Sequence, residues 1–344
     1  MGGPQISYSG PGLERMYPGV DAFVRGYGEE ALATLASTSQ ALPIRGVHWA
    51  GTEDLARQAE VNLEALPSPW LTGTIPLKDQ AFIRWETQRG CPFRCAFCQH
   101  REPGARLRRR ALGLSRIEAE IDLFCASGVR DIAVLDPIFN LAPHAVAVLE
   151  RFAERGFAGR LSLQCRAESI HAAFLHVAST LDVCLEFGLQ TIHANEGRAI
   201  HRGNQIERVD SALAQVRALH IRHEVTLIFG LPLQTLASFE ASVAWCLERE
   251  VPIIKAFPLL ILRGTELERD RDKWSLIDGG GAMPTVMQSS TFDIDDWQAM
   301  ACLSEALKLT EGHHPRSLDA LKALAAMQAP NPLRWAPEEA TEAA

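Results

Sequence analysis

The chain lacks the sequence features of a membrane protein, a secreted protein or a general nucleic-acid-binding protein. No run of about 18 apolar residues occurs, so no transmembrane helix is expected. The first residues lack the basic start and apolar stretch of a signal peptide, which predicts a cytoplasmic protein. Basic residues are also few, because 34 Lys and Arg stand against 42 Asp and Glu and leave a net charge of −8. We therefore expect neither a membrane nor a nucleic acid as a partner.

The length and composition are those of a globular protein. The 344 residues suffice for about two domains or for one large α/β barrel. Hydrophobic residues make up 47% and charged residues 22%, which excludes a disordered, collagenous or coiled-coil chain. A chain of this length needs no disulfide bonds to fold. Its eight cysteines are therefore expected to be reduced unless they bind metal.

Three of the eight cysteines are close together, as Cys91, Cys95 and Cys98. Disulfides are not expected among them in a reducing compartment. Structural zinc sites use four ligands, so zinc would need a fourth from His100 or from a distant residue. Iron–sulfur clusters also take thiolate ligands, and three thiolates on a four-iron cluster leave one iron open. The other five cysteines are dispersed and are interpreted as small buried hydrophobic residues.

Segments with strand patterns alternate with segments with helix patterns along the middle of the chain. The predicted strands are 81–88, 131–136, 160–165, 181–188, 224–229 and 252–257. The predicted helices between them are 115–127, 143–155, 168–179, 206–219 and 236–248. This order predicts a parallel sheet with helices outside, curled into a full or partial barrel. Such barrels carry their chemistry at the carboxyl ends of the strands, and the cysteines directly follow the first strand.

The C-x₃-C-x₂-C spacing of Cys91, Cys95 and Cys98 resembles that of the radical S-adenosylmethionine (SAM) superfamily. The resemblance implies that these thiolates hold a [4Fe–4S] cluster, that SAM chelates the fourth iron, and that Phe97 lies near the adenine. It also implies a carbon radical formed by reductive cleavage of SAM in a closed pocket. The expected fold is α/β, a partial (β/α)6 radical SAM barrel with a small truncated Rossmann-like α/β region before it and C-terminal helices after it.

Other segments resemble the branch of this superfamily that carries a cobalamin-binding domain. They extend over about residues 1–310 and include Pro67-Ser-Pro-Trp-Leu-Thr-Gly73, Phe187-Gly-Leu-Gln-Thr191 and Leu227-Ile-Phe-Gly-Leu-Pro232. The Asp-x-His-x-x-Gly cobalamin motif of that branch is not matched, because Gly46 stands where the aspartate would precede His48. We therefore expect that cobalamin does not bind in the usual way. The expected domains are a remnant of the cobalamin-binding-like domain with its linker (1–75), the barrel (76–262) and a substrate-capping region (263–344).

The same resemblance implies contacts between SAM and eight residues near the strand ends, namely Asp136, Gln164, Arg166, Glu168, Gln190, Arg202, Ile228 and Gly230. Asp136 would face the SAM amino group, and the next three residues would contact its ribose or carboxylate. Gln190 and Arg202 would reach its polar groups, and the backbone at Ile228 and Gly230 would meet the adenine. The alternatives are a turn or helix cap for Asp136, a surface salt bridge for the arginine and glutamate, and a tight turn at Gly230. No catalytic residue is assigned.

Five arginines occur between Arg101 and Arg110. One interpretation is a solvated loop. The other is a docking surface for an acidic electron donor such as flavodoxin or ferredoxin, bound by charge complementarity. No aromatic residue alternates with the arginines, which again disfavours nucleic acid.

The resemblance implies a radical SAM enzyme that modifies a small molecule, in natural-product or other secondary metabolism. An alternative is cleavage of a different sulfonium bond, which would give methylthioadenosine and transfer a 3-amino-3-carboxypropyl group to a heteroatom, conceivably arsenic. A second alternative is a subunit of a cobalamin-dependent methyltransferase. A third is a zinc-binding or metal-free scaffold protein without enzymatic activity.

Overall fold

The first part of the chain folds into a small α/β region. The computed structural model of the protein describes residues 1–37, 43–100, 110–280 and 284–327. The first part contains three helices and an antiparallel pair of strands: α1 (Pro4–Ser7), α2 (Leu13–Met16), α3 (Glu29–Ser37), β1 (Ala22–Val24) and β2 (Val47–Trp49). Isolated parallel bridges join Gly2 to Val24 and Gly26 to Ala59.

A sheet of six parallel strands forms the centre of the protein. In chain order the strands that follow are β3 (Phe82–Trp85), β4 (Gln88–Arg89), β5 (Arg110–Ala111), β6 (Asp131–Val134), β7 (Arg160–Cys165), β8 (Asp182–Gln190), β9 (Arg222–Phe229) and β10 (Ile253–Pro258). The sheet has the order β10-β9-β8-β7-β6-β3, and each neighbouring pair runs parallel. Because the order follows the sequence, each strand is joined to the next by a crossover on one face. The predicted α/β fold with a partial barrel is confirmed.

The helices occupy the outer face of this sheet or the connections at its ends. They are α4 (Leu114–Ala126), α5 (Ala145–Glu154), α6 (Ala172–Ala178), α7 (Ala194–Ala199), α8 (Ile206–Ala218), α9 (Leu236–Glu248), α10 (Glu266–Arg269), α11 (Ile294–Leu309) and α12 (Leu318–Met327). Short 3₁₀ turns cover Phe139–Leu141 and Ala167–Ser169, and a small hairpin pairs β11 (Ile277–Asp278) with β12 (Val286–Gln288). Among the described residues, no helix combines the length and the apolar composition that crossing a membrane requires.

Helix α11 completes the barrel's outer layer. It packs against β10 and α9, in the place that follows the sixth strand. Its Trp297 is buried and lies 5.8 Å from the ring of Phe229 on β9. The domain boundary predicted near residue 262 stays a prediction.

Side chains alternate regularly between the two faces of the sheet. On β7, for example, Leu161, Leu163 and Cys165 are buried against the helices, whereas Ser162 and Gln164 point to the opposite face and are half-buried. We call this opposite face, which the helices do not cover, the inner face. Strand residues two apart share a face, so the position of each polar strand residue follows from its number.

Trp85 anchors the first strand to the helices. Its side chain is only 2% exposed and makes edge-to-face contacts with Phe124 and Phe152. Its indole N–H donates to the buried carboxylate of Glu120 at 2.6 Å, and Arg116 donates to the same carboxylate at 3.0 Å. The buried charge is thus compensated, and burial of a side chain this large contributes a few kcal/mol.

The predicted strand 81–88 is shorter in the structure. Strand β3 ends at Trp85, and the chain turns at Thr87, whose backbone N–H and hydroxyl both donate to Asp136. After this turn, Gln88 and Arg89 pair with the separate strand β5. The interruption depends on a carboxylate far along the chain, so the local pattern could not indicate it.

The N-terminal region is attached to the barrel through Arg89. The guanidinium forms ion pairs with Glu29 at 2.6 Å and with Glu86 at 2.7 Å. The Arg89 guanidinium also lies 5.1 Å from the ring centre of Tyr27. The guanidinium of Arg110 lies 5.8 Å from the same ring centre. These contacts fix the N-terminal region against the carboxyl end of the first barrel strand.

Candidate active site

The three cysteines lie on one loop, which we call the cysteine loop (residues 91–98), after the first barrel strand. Cys91 is buried and the other two are half-buried. The backbone of Ala96 holds the loop from two sides. Its N–H donates to the carbonyl oxygen of Ile200 at 2.8 Å, and its carbonyl oxygen accepts from the N–H of Leu267 at 2.9 Å. The loop is therefore fixed by segments that follow the fourth and sixth barrel strands.

The N-terminal region also contacts the end of the cysteine loop. The hydroxyl of Tyr8 donates to the carbonyl oxygen of Gln99. The side-chain amide of Gln99 donates to the carbonyl oxygen of Arg263 at 2.8 Å, and Arg263 in turn donates to the Ser9 hydroxyl at 2.9 Å. Two distant parts of the chain, the N-terminal segment and Arg263, therefore fix the residue that follows Cys98.

The surroundings of the Cys91 and Cys98 thiols disfavour the thiolate form in the absence of a metal. Burial is the main cause of a raised pKa at Cys91 and of a pKa of about 11 at Cys98. The neighbouring cysteines raise the pKa of Cys98 further, whereas the positive charge of Arg202 lowers it. Thiolate ligands here would be stabilised chiefly by the positive charge of a bound metal centre.

The three thiols leave a structural zinc site one ligand short, whereas they would leave a four-iron cluster with one open iron. Within the described ranges, no group of three or more His, Cys, Asp or Glu side chains closes round one metal ion. Thiolates on one zinc stand only about 4 Å apart, because each lies about 2.3 Å from the ion. A [4Fe–4S] cluster separates its ligands further, since several atoms lie between them. Three cysteines on one loop therefore suit a cluster that keeps one iron open.

Arg202 joins the cysteine loop to the end of the fourth barrel strand. Its side chain is buried, with Nη1 3.8 Å from the Cys95 sulfur and Nη2 donating to the carbonyl oxygen of Gly188. Its Nε is buried and has no hydrogen-bond partner among the described residues. The same holds for Oε1 of Gln190, a residue with φ 70° at an irregularity of β8. A buried donor and a buried acceptor thus lie beside the cysteines, and a polar ligand such as SAM would satisfy both.

Arg166 and Glu168 also contact the cysteine loop. The Arg166 guanidinium lies 4.0 Å from the ring centre of Phe93 within that loop. It donates to Glu168 at 2.5 Å and to the carbonyl oxygen of Gly203 at 3.0 Å. The salt bridge that was the alternative for this pair is present, but it is buried, with side chains 8% and 9% exposed. A SAM contact by either residue stays a prediction.

Gln164 lies on strand β7, and Phe97 lies within the cysteine loop. Gln164 is half-buried on the inner face of β7, and its register partner on β8 is Glu186. Phe97 is partly buried against the main hydrophobic core. Their predicted roles at the ribose and the adenine are not tested by these positions.

Asp136 is occupied within the protein. Its carboxylate is fully buried and accepts hydrogen bonds from the Thr87 N–H at 2.8 Å, the Thr87 hydroxyl and the Gln88 N–H at 3.2 Å. These bonds correspond to the turn that was its alternative interpretation. Both oxygens thus hold the turn after β3 against the end of β6, and the predicted contact with the SAM amino group stays a prediction.

The Asp136 carboxyl group is expected to make stability depend on pH. Burial raises its pKa to about 6, although three donors favour the ionised form. A pKa that is higher in the folded state stabilises the fold below about pH 4, and this contribution is lost as the pH rises through about 6. Relative to Asp136→Asn, the free energy of unfolding of the wild-type apoprotein should fall by about 2–3 kcal/mol from pH 4 to pH 7. Denaturant unfolding at both pH values measures this difference, and parallel pH profiles of the two proteins would contradict it.

The backbone groups predicted for adenine are bound by Gln234. The Gln234 side chain has no exposed surface, and its Oε1 accepts from the Gly230 N–H at 2.7 Å. Its Nε2 donates to the Ile228 carbonyl oxygen at 3.1 Å. Gly230 has φ 89°, which agrees with the tight turn stated as its alternative. The Gly230 N–H is therefore engaged within the protein, and the predicted backbone contact with adenine stays a prediction.

Sequence reasoning missed three polar residues of this region. Asn140 donates to the Arg166 carbonyl oxygen at 3.0 Å and accepts from its N–H at 2.9 Å, and Gln234 supports the turn after the fifth strand. Neither Asn140 nor Gln234 could be identified from the sequence, because only the folded structure brings their hydrogen-bond partners close to them. Glu186 on β8 had a sequence signal, since a carboxylate interrupts an otherwise apolar strand.

A cavity of about 1110 Å³ separates the N-terminal region from the carboxyl end of the sheet. Its walls include Arg25, His48, Glu86, Gln99 and Pro137. The ring of His48 is bound through Nε2 to Glu14 at 2.8 Å, and its buried Nδ1 has no partner among the described residues. A large ligand could therefore lie directly beside the cysteine loop.

The predicted donor-docking loop is described only at its end. Residues 101–109 lie outside the described residues. Arg110 donates to the carbonyl oxygen of Val61 at 3.1 Å, so its side chain helps to attach the linker. The electron-donor prediction stays a prediction.

Comparison with known proteins gives the family of this site. Residues 85–246 match the sequence profile of the radical SAM superfamily. The matched segment, just under half of the chain, is similar to the radical SAM domain. The matched segment contains the cysteine loop, Arg166, Gln190 and Arg202, and it extends over the first five barrel strands. The predicted resemblance to the radical SAM superfamily is confirmed over this segment.

Two methyltransferases resemble this segment and its surroundings. The chain is 26% identical over 280 residues to the cobalamin-dependent radical SAM methyltransferase TokK of Streptomyces tokunonensis. It is also 26% identical over 279 residues to the 2-(S-pantetheinyl)-carbapenam-3-carboxylate methyltransferase of Streptantibioticus cattleyicolor. Each alignment covers 72% of this chain and 40% of the relative. The chain thus spans well under half of the length of these relatives.

Solved structures share the fold. The radical enzyme OxsB, with aqua-cobalamin and SAM bound, superposes with a TM-score of 0.65 at 16% identity, over 95% of this chain and 57% of that one. TsrM from Kitasatospora setae, with cobalamin and a [4Fe–4S] cluster bound, superposes with a TM-score of 0.63 at 17% identity. The superposition covers 86% of this chain and 63% of that one. The superfamily implies a [4Fe–4S] cluster and SAM for this domain. The expectation that cobalamin is absent gains no support here, because both of these proteins contain it.

Proposed function

We propose that this protein is a radical SAM enzyme that acts on a small molecule. The observation that carries the proposal is the convergence of Cys91, Cys95 and Cys98 with Arg202 and Gln190 at the carboxyl end of the barrel. The three thiols would hold a [4Fe–4S] cluster, which with SAM would supply reductive cleavage of a carbon–sulfur bond. A role in natural-product metabolism is part of the proposal, supported by the carbapenam methyltransferase among its relatives.

The chain's own residues would bind and orient SAM. Arg202 Nε is a buried donor suited to a carboxylate or hydroxyl oxygen, and Gln190 Oε1 is a buried acceptor suited to an amino or hydroxyl group. Arg166 and Glu168 would stabilise the cysteine loop from the other side through Phe93. Since these side chains are mostly buried, water would be excluded from the reacting bond.

The nucleoside product tests this proposal. The protein is loaded anaerobically with iron and sulfide, reduced with dithionite or with reduced flavodoxin, given SAM, and analysed by mass spectrometry. We expect 5′-deoxyadenosine, which would indicate hydrogen abstraction from a carbon centre. Methylthioadenosine would instead favour the alternative, transfer of a 3-amino-3-carboxypropyl group to a heteroatom such as arsenic. If the cluster-loaded protein forms no cleavage product at all, the proposal is wrong.

A second candidate is cobalamin-dependent methylation, which the cavity beside the cysteine loop favours. That cavity is large and lies against Gly90, Gln99 and His100. The relatives named for cobalamin-dependent methylation support it, although His48 is bound to Glu14 and the aspartate of the usual motif is replaced by Gly46. Gel filtration with aquacobalamin distinguishes the candidates. A one-to-one complex that transfers a methyl group from SAM would favour methylation, whereas elution of all cobalamin free of protein would exclude it for this chain.

A further inference from the structure

The cavity beside the cysteine loop is lined by residues with buried polar atoms that lack partners among the described residues. Arg25, His48 and Gln88 line it and are 1%, 7% and 2% exposed. Arg25 Nε, His48 Nδ1 and Gln88 Oε1 accept or donate no hydrogen bond within the described parts of the chain, and neither does Oε1 of the half-buried Gln58. Buried polar groups are normally paired, so four such atoms around one cavity indicate a ligand.

The unpartnered atoms of the two glutamines are acceptors. Nε2 of Gln88 donates to the carbonyl oxygen of Ile138 at 3.3 Å, and Nε2 of Gln58 donates to that of Ser7 at 3.0 Å. Since a carbonyl oxygen can only accept, each amide keeps its nitrogen on the protein and leaves its oxygen for a ligand. Gln58 belongs to the N-terminal region and Gln88 follows the first barrel strand, so the ligand would contact both walls.

His48 supplies a third acceptor. Its Nε2 lies 2.8 Å from the Glu14 carboxylate, which only accepts, so Nε2 carries the proton and Nδ1 of the neutral ring is an acceptor. Stacking on Phe23, with 5.8 Å between the ring centres, fixes the plane of the ring. Three acceptors and one donor, Arg25 Nε, thus need partners. A primary carboxamide has two N–H donors and one carbonyl acceptor and matches such a mixed set.

The charges in the wall of the cavity compensate one another. Three ion pairs lie among the lining residues: Arg25 with Asp54 at 2.6 Å, Arg45 with Glu60 at 2.8 Å, and Arg89 with Glu86 at 2.7 Å. Among the described wall residues this leaves Arg57 and Glu53, whose charges are opposite. An ionised ligand would lose hydration without meeting a net charge of opposite sign, so the wall favours a neutral ligand.

The position and size of the cavity suit a substrate. Its wall includes Gly90, Gln99 and His100, which flank the cysteine loop directly. Leu135, which is 45% exposed, adds apolar surface on the barrel side. The volume of about 1110 Å³ reaches the upper end of the range of about 300–1,000 Å³ that is typical of ligand pockets.

We propose that this cavity binds the substrate, a neutral molecule whose carboxamide N–H groups donate to Gln88, Gln58 and His48. Arg25 Nε donates to an oxygen of the same molecule, and Leu135 contacts its apolar body. This inference rests on the proposed function and adds its substrate class, neutral carboxamides. It competes with the second candidate, since cobalamin would occupy the same cavity.

Probes with one shared body test this substrate class. The cluster-loaded protein with SAM bound is titrated anaerobically, in a calorimeter, with 3-phenylpropionamide, its N,N-dimethyl derivative, 3-phenylpropionate and 3-phenylpropylamine. The dimethylamide is neutral but has no N–H donor, and the last two probes are an anion and a cation. We expect the primary amide to bind about tenfold or more tightly than each of the others, since they leave buried acceptors unpaired or bring a charge.

Two glutamine variants locate the binding site. Gln58→Leu and Gln88→Leu each remove one acceptor and should each weaken binding of the primary amide about fivefold or more. Gln215→Leu makes the same change at an exposed position of α8 and should leave the affinity unchanged. Thermal unfolding shows which variants fold. If loss of the bond to Ile138 prevents Gln88→Leu from folding, Gln58→Leu alone decides.

The outcomes separate this inference from the proposed function. Equal affinity for the four probes, binding of none of them, or full amide affinity in Gln58→Leu would each overturn the inference. Displacement of the bound amide by one equivalent of aquacobalamin would also overturn it and assign the cavity to cobalamin. SAM cleavage without any probe is measured on the same samples. If the amide binds selectively but no nucleoside forms, the proposed function fails and the amide site stands, whereas nucleoside formation without selectivity contradicts the amide site alone.

Discussion

Replacing Cys91, Cys95 and Cys98 together by alanine is expected to abolish iron binding and SAM cleavage. These three thiols are all the sulfur ligands of the cysteine loop. Without them, the loop has no thiolate that could bind a cluster. Wild-type protein should be brown, with a broad absorbance band near about 400 nm, and the triple variant should be colourless. Nucleoside formation should fall to the level of the reaction without protein.

A second triple variant controls for loss of thiols in general. Cys125, Cys246 and Cys302 lie on the outer helices α4, α9 and α11. Replacing them by alanine removes as many thiols but none from the cysteine loop, so iron content and SAM cleavage should be retained. Cluster-like absorbance in the first variant, or its loss in the second, would contradict the assignment of ligands.

Replacing Arg202 by leucine is expected to lower the reduction potential of the cluster. The guanidinium lies 3.8 Å from the Cys95 sulfur and is mostly buried. Reduction adds one negative charge to the cluster, which this cation stabilises. A unit charge at about 4 Å contributes about 4 kcal/mol at an effective dielectric constant of 20, and spreading of the added charge over the cluster reduces this. We therefore expect the midpoint potential to fall by roughly 50–100 mV.

Arg202→Lys is the matched control for this charge effect. It keeps the positive charge but loses the planar donor set that binds Gly188. Its potential should stay within about 30 mV of the wild type, while its SAM affinity falls because the Nε donor is lost. Redox titration followed by electron paramagnetic resonance measures the potentials. An unchanged potential in Arg202→Leu would show that the arginine does not act on the cluster through its charge.

Local patterns in the sequence predicted the barrel well. Strand β7 (160–165) and helix α9 (236–248) have the predicted bounds, because their apolar periodicity is dictated by burial against the neighbouring layer. Helix α11 was predicted only as one of the C-terminal helices that follow the barrel, and not as part of it. The segment between β10 and this helix is long and irregular, and only packing against α9 shows where the helix belongs.

The candidate site was predictable where local spacing determines the chemistry. The cysteine spacing suffices to indicate a cluster, since one short loop brings the three thiols together. Asp136 and Gly230 show the opposite case. Asp136 is engaged by Thr87, 49 residues earlier, and Gly230 by the side chain of Gln234, and neither partner follows from the strand pattern. Hydrogen-bond competition of this kind becomes visible only in three dimensions.

The central claim is that the cysteine loop holds a cluster with one open iron to which SAM binds. Electron–nuclear double resonance of the reduced protein tests it directly, with SAM labelled by ¹⁵N at the amino group and by ¹³C at the carboxylate. We predict magnetic coupling of both labels to the cluster. A reduced cluster with a normal signal and no coupling to either label, at SAM concentrations that saturate the protein, would contradict the claim.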